Sequence, residues 1–252
     1  MPSFHSDGYE IAYMDEGEGP PILLIHGFSS SFQINWVGTG WVDTLVKAGR
    51  RVIALDNRGH GGSDKPHEVG AYRVGAMAGD AFNLLDHLDI AKADVMGYSM
   101  GARITAFLAL AHPQRLKSAI LGGLGYGIVT GVGDWRPVVE ALEAEDPATI
   151  TYPTGLLFRK FADQSGNDRV ALVACMKATR QPFSADELAA LRLPVLIAVG
   201  DKDELAGSAA ALAEIIPGSE VLDIPKRDHM LAVGDKVYKS GVLEFLKRRG
   251  LG

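Results

Sequence analysis

Residues 97–101 read Gly97-Tyr98-Ser99-Met100-Gly101. A serine hydroxyl becomes a useful nucleophile when a base takes its proton, and the base needs a carboxylate to fix its tautomer and balance its charge. The Gly-x-Ser-x-Gly spacing supplies the first part of such a device. An apolar run from Ala93 to Met96 leads into it, and a helix-like run from Ala102 to Ala111 follows, stopping before Pro113. This order sets Ser99 at the apex of a strand, turn and helix, in strained backbone angles, where a side chain at Gly97 or Gly101 would crowd its neighbours. The N-terminus of the helix favours developing negative charge beside the hydroxyl. The same five residues also suit a plain Gly-rich helix start with Ser99 as N-cap, so the rest of the chain has to decide.

Partners for the serine are sought on loops at the edge where strands end. His229 is the one histidine that follows a strand downstream of a long helical stretch. His26 and His60 stand at strand ends but precede the serine, whereas His5, His67, His87 and His112 lie in the N-terminal tail, a loop or helices. Asp201 and Asp203 both follow the strand that ends at Val199. Asp203 is favoured because it stands farther from the strand and turns toward the loop bearing His229. Asp223 lies within a strand and Asp228 adjoins the histidine it would have to orient. After the apolar run Pro21 to Ile25 comes His26-Gly27-Phe28-Ser29-Ser30. A glycine there lets backbone N–H groups point into a site, so this loop is a candidate for half of an oxyanion hole. The loop Asp56 to Asp64 holds three glycines with Asp, Arg and His, but no Gly-Lys-Ser/Thr of a phosphate-binding loop follows. It reads as a tight loop pinned by its own hydrogen bonds.

The elements that must carry these residues follow from the hydrophobic pattern. Tyr9 to Met14 alternates like a half-exposed strand. Pro21 to Ile25, Arg51 to Leu55, Ala93 to Met96 and Leu116 to Leu121 are continuous apolar runs expected of strands buried on both faces. Trp41 to Lys47 and Ala76 to Leu88 read as helices between them. Such alternation predicts an α/β fold, a mostly parallel sheet flanked by helices. From about 126 to 191 only helical segments are found, at Pro137 to Leu142, Gly155 to Phe161 and Arg169 to Ala178, then a capping box at Ser184 to Glu187. That stretch is too long for a connection and reads as a lid or cap inserted after the sixth strand. Strands Pro194 to Val199 and Glu220 to Ile224 flank a helix at Ser208 to Ile216, and a last helix, Lys236 to Arg249, is expected to bury Val237, Leu243 and Leu246. The chain thus divides into a core at 1–125, a cap at 126–191 and the rest of the core at 192–252.

The 252 residues are 47% hydrophobic and carry 25 basic against 31 acidic side chains, a net charge of −6. That balance argues against nucleic acid or an anionic membrane as the main partner. No apolar run approaches the roughly 18 residues of a membrane span, and Met1 to Gly17 lacks the pattern of a signal peptide. Cys175 is the only cysteine, which rules out an internal disulfide and fits a reducing cytoplasm as the expected location. No cofactor or metal is expected, and the oligomeric state is not readable.

Taken together, His26-Gly27-Phe28, Asp56 to Ser63, Gly97 to Gly101, Gly200-Asp201-Lys202-Asp203 and His229 resemble the α/β-hydrolase family, over nearly the whole chain outside the cap. The resemblance implies a Ser99, Asp203, His229 triad, with Asp203 three residues after the glycine that closes its strand, and an oxyanion hole from the backbone N–H groups of Phe28 and Met100. Family members often carry glycine before the histidine, where Asp228 stands here. The expected activity is hydrolysis of a carboxylic ester through an acyl-enzyme. The same triad serves carbon–carbon bond hydrolases, lactonases and slow-turnover receptors, whereas relatives that dehalogenate or open epoxides would carry aspartate at position 99.

Overall fold

The computed structural model describes residues 1–131, 133–179 and 181–249. Eight strands form one sheet: β1 (Ser3–Ser6), β2 (Tyr9–Glu16), β3 (Pro21–Ile25), β4 (Arg51–Leu55), β5 (Ala93–Tyr98), β6 (Leu116–Gly122), β7 (Val195–Gly200) and β8 (Glu220–Ile224). Their order is β1-β2-β4-β3-β5-β6-β7-β8. The β1/β2 and β2/β4 pairs are antiparallel and all others are parallel.

Side chains on successive strand residues point to opposite faces, and the apolar runs feed two cores. Leu23 and Ile25 of β3, Ile53 and Leu55 of β4, and Val95 of β5 join one cluster. Ile22, Leu24, Val52, Ala54 and Met96 join the other. The first face is covered by α2 (Val74–His87) and α3 (Met100–Ala111), the second by α1 (Trp41–Lys47) and the C-terminal helix (Lys236–Arg248).

Between β6 and β7 the described residues form five α-helices: α4 (Gly127–Thr130), α5 (Arg136–Glu143), α6 (Pro153–Gln164), α7 (Arg169–Ala178) and α8 (Ala185–Ala189). Ser184 caps α8 reciprocally with Glu187. The buried sides of α5, α6 and α7 are continuous with the first core. Then come α9 (Ala209–Ile215), α10 (His229–Ala232) and the last helix, α11 (Lys236–Arg248).

The pattern of α11 differs from expectation. Its buried residues are Tyr238, Val242, Phe245 and Leu246, while Val237 and Leu243 are only half-buried. Positions i, i+4, i+7 and i+8 make a helical stripe, and Tyr238 anchors it edge-on against Trp41, ring centroids 4.9 Å apart. Strand β1, absent from the sequence reading, pairs with β2 through a turn at Asp7-Gly8. Four residues with polar neighbours give too short an alternation to read. Among the described residues no helix is long and apolar enough to cross a membrane.

Candidate active site

Ser99 sits between β5 and α3 with φ 55° and ψ −112°, a conformation that costs a non-glycine residue on the order of 1–3 kcal/mol. The turn closes because its flanks are bare. A Cβ on Gly97 would run into the Gly101 carbonyl, and one on Gly101 into the carbonyls of Ile25 and His26. The Ser99 N–H donates to Gly122 O at 2.8 Å, tying the turn to the next strand.

His229 Nε2 lies 2.9 Å from Ser99 Oγ, and its Nδ1 lies 2.8 Å from Asp203 Oδ2. The other oxygen of Asp203 accepts from the N–H groups of Leu205 and Ala206, both at 3.0 Å. An acceptor at Oδ2 makes Nδ1 the donor, which leaves Nε2 free to accept from the serine. Two loops bring acid and imidazole together: Asp201 N–H donates to Ile224 O and Lys202 N–H to Arg227 O, at 3.1 and 3.0 Å. Gly200 permits this approach, since a Cβ there would strike the Arg227 carbonyl. Asp201 serves the same joint, its Oδ1 accepting from Lys226 N–H at 2.7 Å. It is thus Asp203 that meets His229. Asp228 keeps an extended backbone and caps α10, its Oδ1 accepting from Met230 and Leu231 N–H. Aspartate therefore fills this position without a left-handed backbone. Tyr98 Oη donates to His229 O at 2.6 Å, a tether the sequence reading missed.

On the opposite side, the loop after β3 comes within van der Waals contact of the serine, for a Cβ on Gly27 would stand 3.6 Å from Ser99 Cβ. Gly27 N–H donates to Asn35 Oδ1 at 2.9 Å. His26 is fully buried; its Nδ1 donates to Gly27 O at 2.7 Å and its Nε2 accepts from Asn57 N–H at 3.0 Å. Burial drives its pKa down to about 4, so it is a neutral pin between two loops. The loop from Asp56 is held likewise: Asp56 accepts from Phe32 and Gly62 N–H, and Arg58 grips Asp80 with two bonds of 2.7 Å. Phe28 and Met100 are both buried and line a cavity of about 230 Å³ together with Ser99 and His229. Of the apolar side chains on the helical segment, Trp135, Phe158 and Phe161 wall this cavity, while Leu156 and Met176 do not.

A second, much smaller pocket of about 20 Å³ reaches the same serine and histidine and is lined also by Arg103, Thr179 and Leu205. Arg103 escaped the sequence reading; its one signal was a charged residue on an otherwise apolar helix. Cys175 is buried in α7 with its Sγ 3.6 Å from Met100 Sδ. Among the described residues no cluster of three or more His, Cys, Asp or Glu could hold a metal ion.

A model of the alpha/beta hydrolase fold matches residues 20–149. The dihydrolipoyllysine-residue acetyltransferase component of the acetoin cleaving system of Pseudomonas putida is 33% identical over 247 residues, covering 91% of this chain and 64% of that protein. The chain thus spans less than two thirds of this relative's length. The 2-hydroxymuconate semialdehyde hydrolase of Pseudomonas putida is 31% identical over 199 residues, 79% of this chain and 62% of that one. Among solved structures, the enol-lactonase from Burkholderia xenovorans LB400 superposes with a TM-score of 0.80 at 24% identity, covering 98% of this chain and 100% of that one, a likeness of fold.

Proposed function

The chain belongs to the α/β hydrolase fold family, and we propose that within it the protein is a serine hydrolase cleaving carboxylic esters through an acyl-enzyme. The observation that carries this reading is the hydrogen-bonded line from Asp203 through His229 to Ser99 at the floor of an apolar cavity. His229 Nε2 takes the Ser99 proton as Oγ attacks the ester carbonyl. The N–H groups of Phe28 and Met100 receive the oxyanion, each donor being worth about 10²–10³ in rate. His229 then passes the proton to the departing alcohol, activates a water, and the acyl-enzyme is hydrolysed. Asp203 stays ionised throughout and holds the imidazole in the productive tautomer. In this reading residues 126–191 are a cap whose aromatic side chains shape the site, on a core of 1–125 and 192–252.

The test is hydrolysis of p-nitrophenyl esters of rising acyl length by wild type and by Ser99→Ala. Turnover that the substitution abolishes is expected; a folded wild type without turnover would overturn the esterase reading. A second reading, carbon–carbon bond hydrolysis by the same residues, draws support from the likeness to the 2-hydroxymuconate semialdehyde hydrolase. A vinylogous diketone turned over faster than every ester would favour it.

A further inference from the structure

Helix α3 runs through apolar surroundings, yet its fourth residue is an arginine only 4% exposed. A buried guanidinium is costly unless an acid or several acceptors compensate it. Among the described residues no carboxylate pairs with Arg103. Its Nη1 donates to Gln181 O at 2.9 Å, and its Cζ lies 5.8 Å from the Phe183 ring centroid. These contacts use one donor of a five-donor fork. Asp203, the acid of the site, is engaged by His229, Leu205 N–H and Ala206 N–H. Burial lowers the Arg103 pKa to about 10, so the side chain is still a cation at neutral pH.

Position gives this charge a use. Arg103 N–H donates to Ser99 O, which places the arginine one turn into the helix that begins at the serine. Arg103 and Ser99 both line the small pocket of about 20 Å³ with His229, Thr179 and Leu205, and among the described residues Arg103 is the sole fixed cation there. The Thr179 hydroxyl spends its proton on Cys175 O. A staple to one backbone carbonyl would be served by a neutral donor at less desolvation cost; a charged fork suits an anion that arrives with the substrate.

We propose that Arg103 forms a carboxylate subsite beside Ser99, so that the preferred esters carry a free carboxylate a few bonds from the scissile carbonyl. The proposal rests on the serine-hydrolase reading for its chemistry but not for its binding. The kinetic test is the ratio of kcat/KM for mono-p-nitrophenyl glutarate to that for p-nitrophenyl pentanoate, in wild type, Arg103→Met and Arg103→Lys. The ratio cancels general damage to the fold. It should favour the carboxylate on the order of 10²-fold in wild type, fall near one in Arg103→Met and be partly restored in Arg103→Lys. The binding test titrates Ser99→Ala protein with monomethyl glutarate and with dimethyl glutarate in a calorimeter, and repeats it with Arg103→Met added. Loss of a preference for the monoanion on adding Arg103→Met supports the subsite, even should no ester be turned over, in which case the hydrolase reading alone falls. No preference in the parent protein, or one that survives Arg103→Met, overturns the subsite and leaves Arg103 as a tie between α3 and residues 181–183.

Discussion

Two imidazoles buried without charge make the fold sensitive to acid in a definite window. His26 and His60 are fully buried, with ring centroids 5.3 Å apart. Burial holds His26 at about 4 and His60 at about 3, the neighbouring His26 adding to the second shift. Both titrate near 6.5 in an unfolded chain. Because the folded pKa lies below the unfolded one, the unfolded state binds more protons through the interval. The stabilisation is complete above about pH 6.5 and is lost as pH falls toward 4. Each histidine contributes a slope of about 1.4 kcal/mol per pH unit, so by pH 4 each has cost about 3 kcal/mol and the pair about 6. A domain is typically stable by about 5–15 kcal/mol, so the loss is large enough to unfold it. Asp56 and Asp80, raised by burial, act in the opposite sense at the acid end, since the folded state protonates them first. Urea unfolding followed by circular dichroism between pH 7.5 and 4.5 should therefore show stability falling steeply below pH 6, with uptake approaching two protons. His60→Phe keeps a ring against Phe28 and removes an Nε2 that has no hydrogen-bond partner among the described residues. It loses the bond to Arg58 O, worth about 1 kcal/mol, yet should bring the uptake toward one proton. Stability that is flat between pH 7 and 5, or an uptake near zero, would refute the argument that these rings are neutral in the fold.

Asp203→Asn can still accept from Leu205 and Ala206 N–H but turns the imidazole to the wrong tautomer, so kcat on an ester should fall about 10⁴-fold with little change in thermal midpoint. Gly101→Ala drives a methyl into the carbonyls of Ile25 and His26; a loss of more than about 3 kcal/mol, or no soluble protein, is expected from denaturant unfolding. Arg58→Met leaves the Asp80 carboxylate buried opposite no cation and should cost about 3–5 kcal/mol. Arg58→Met with Asp80→Leu should recover most of that, and a double-mutant cycle in urea measures the coupling.

The central strands were legible because burial on both faces leaves a continuous apolar run, and β3 and β4 fall where the pattern placed them. The serine turn was legible because two glycines at fixed spacing are a backbone requirement visible in the sequence. What lay hidden was set by contacts between distant residues. Tyr98 meets the His229 carbonyl across 131 positions, and Arg103 meets Gln181 across 78. No local pattern encodes either. The expected stripe of α11 took in Val237 and Leu243, whereas the buried one passes through Tyr238 and Val242, because the space between the sheet and Trp41 takes in the Tyr238 ring completely. Asp228 invites doubt beside the histidine until its role as the N-cap of a four-residue helix is seen.

The four loops around Ser99 are fixed by three different means. His26 and Asn35 pin the loop after β3, bare glycines close the serine turn, and backbone bonds join the loops after β7 and β8. All four lie at the carboxyl ends of parallel strands, so the sheet sets their spacing. The helical segment between β6 and β7 supplies Trp135, Phe158 and Phe161 to the cavity wall and touches the loop after β3 through Asn167, whose Nδ2 donates to Ser29 O at 2.8 Å. Phe158 of that wall also packs against Phe28, ring centroids 5.9 Å apart, and against Trp135. A change at Asn167 bears on the same loop, because Ser29 adjoins Phe28 and holds a left-handed φ of 60°. The same segment also reaches the serine turn, through Cys175 Sγ against Met100 Sδ and through Gln181 O, which accepts from Arg103, so its hold on the site is spread over several contacts.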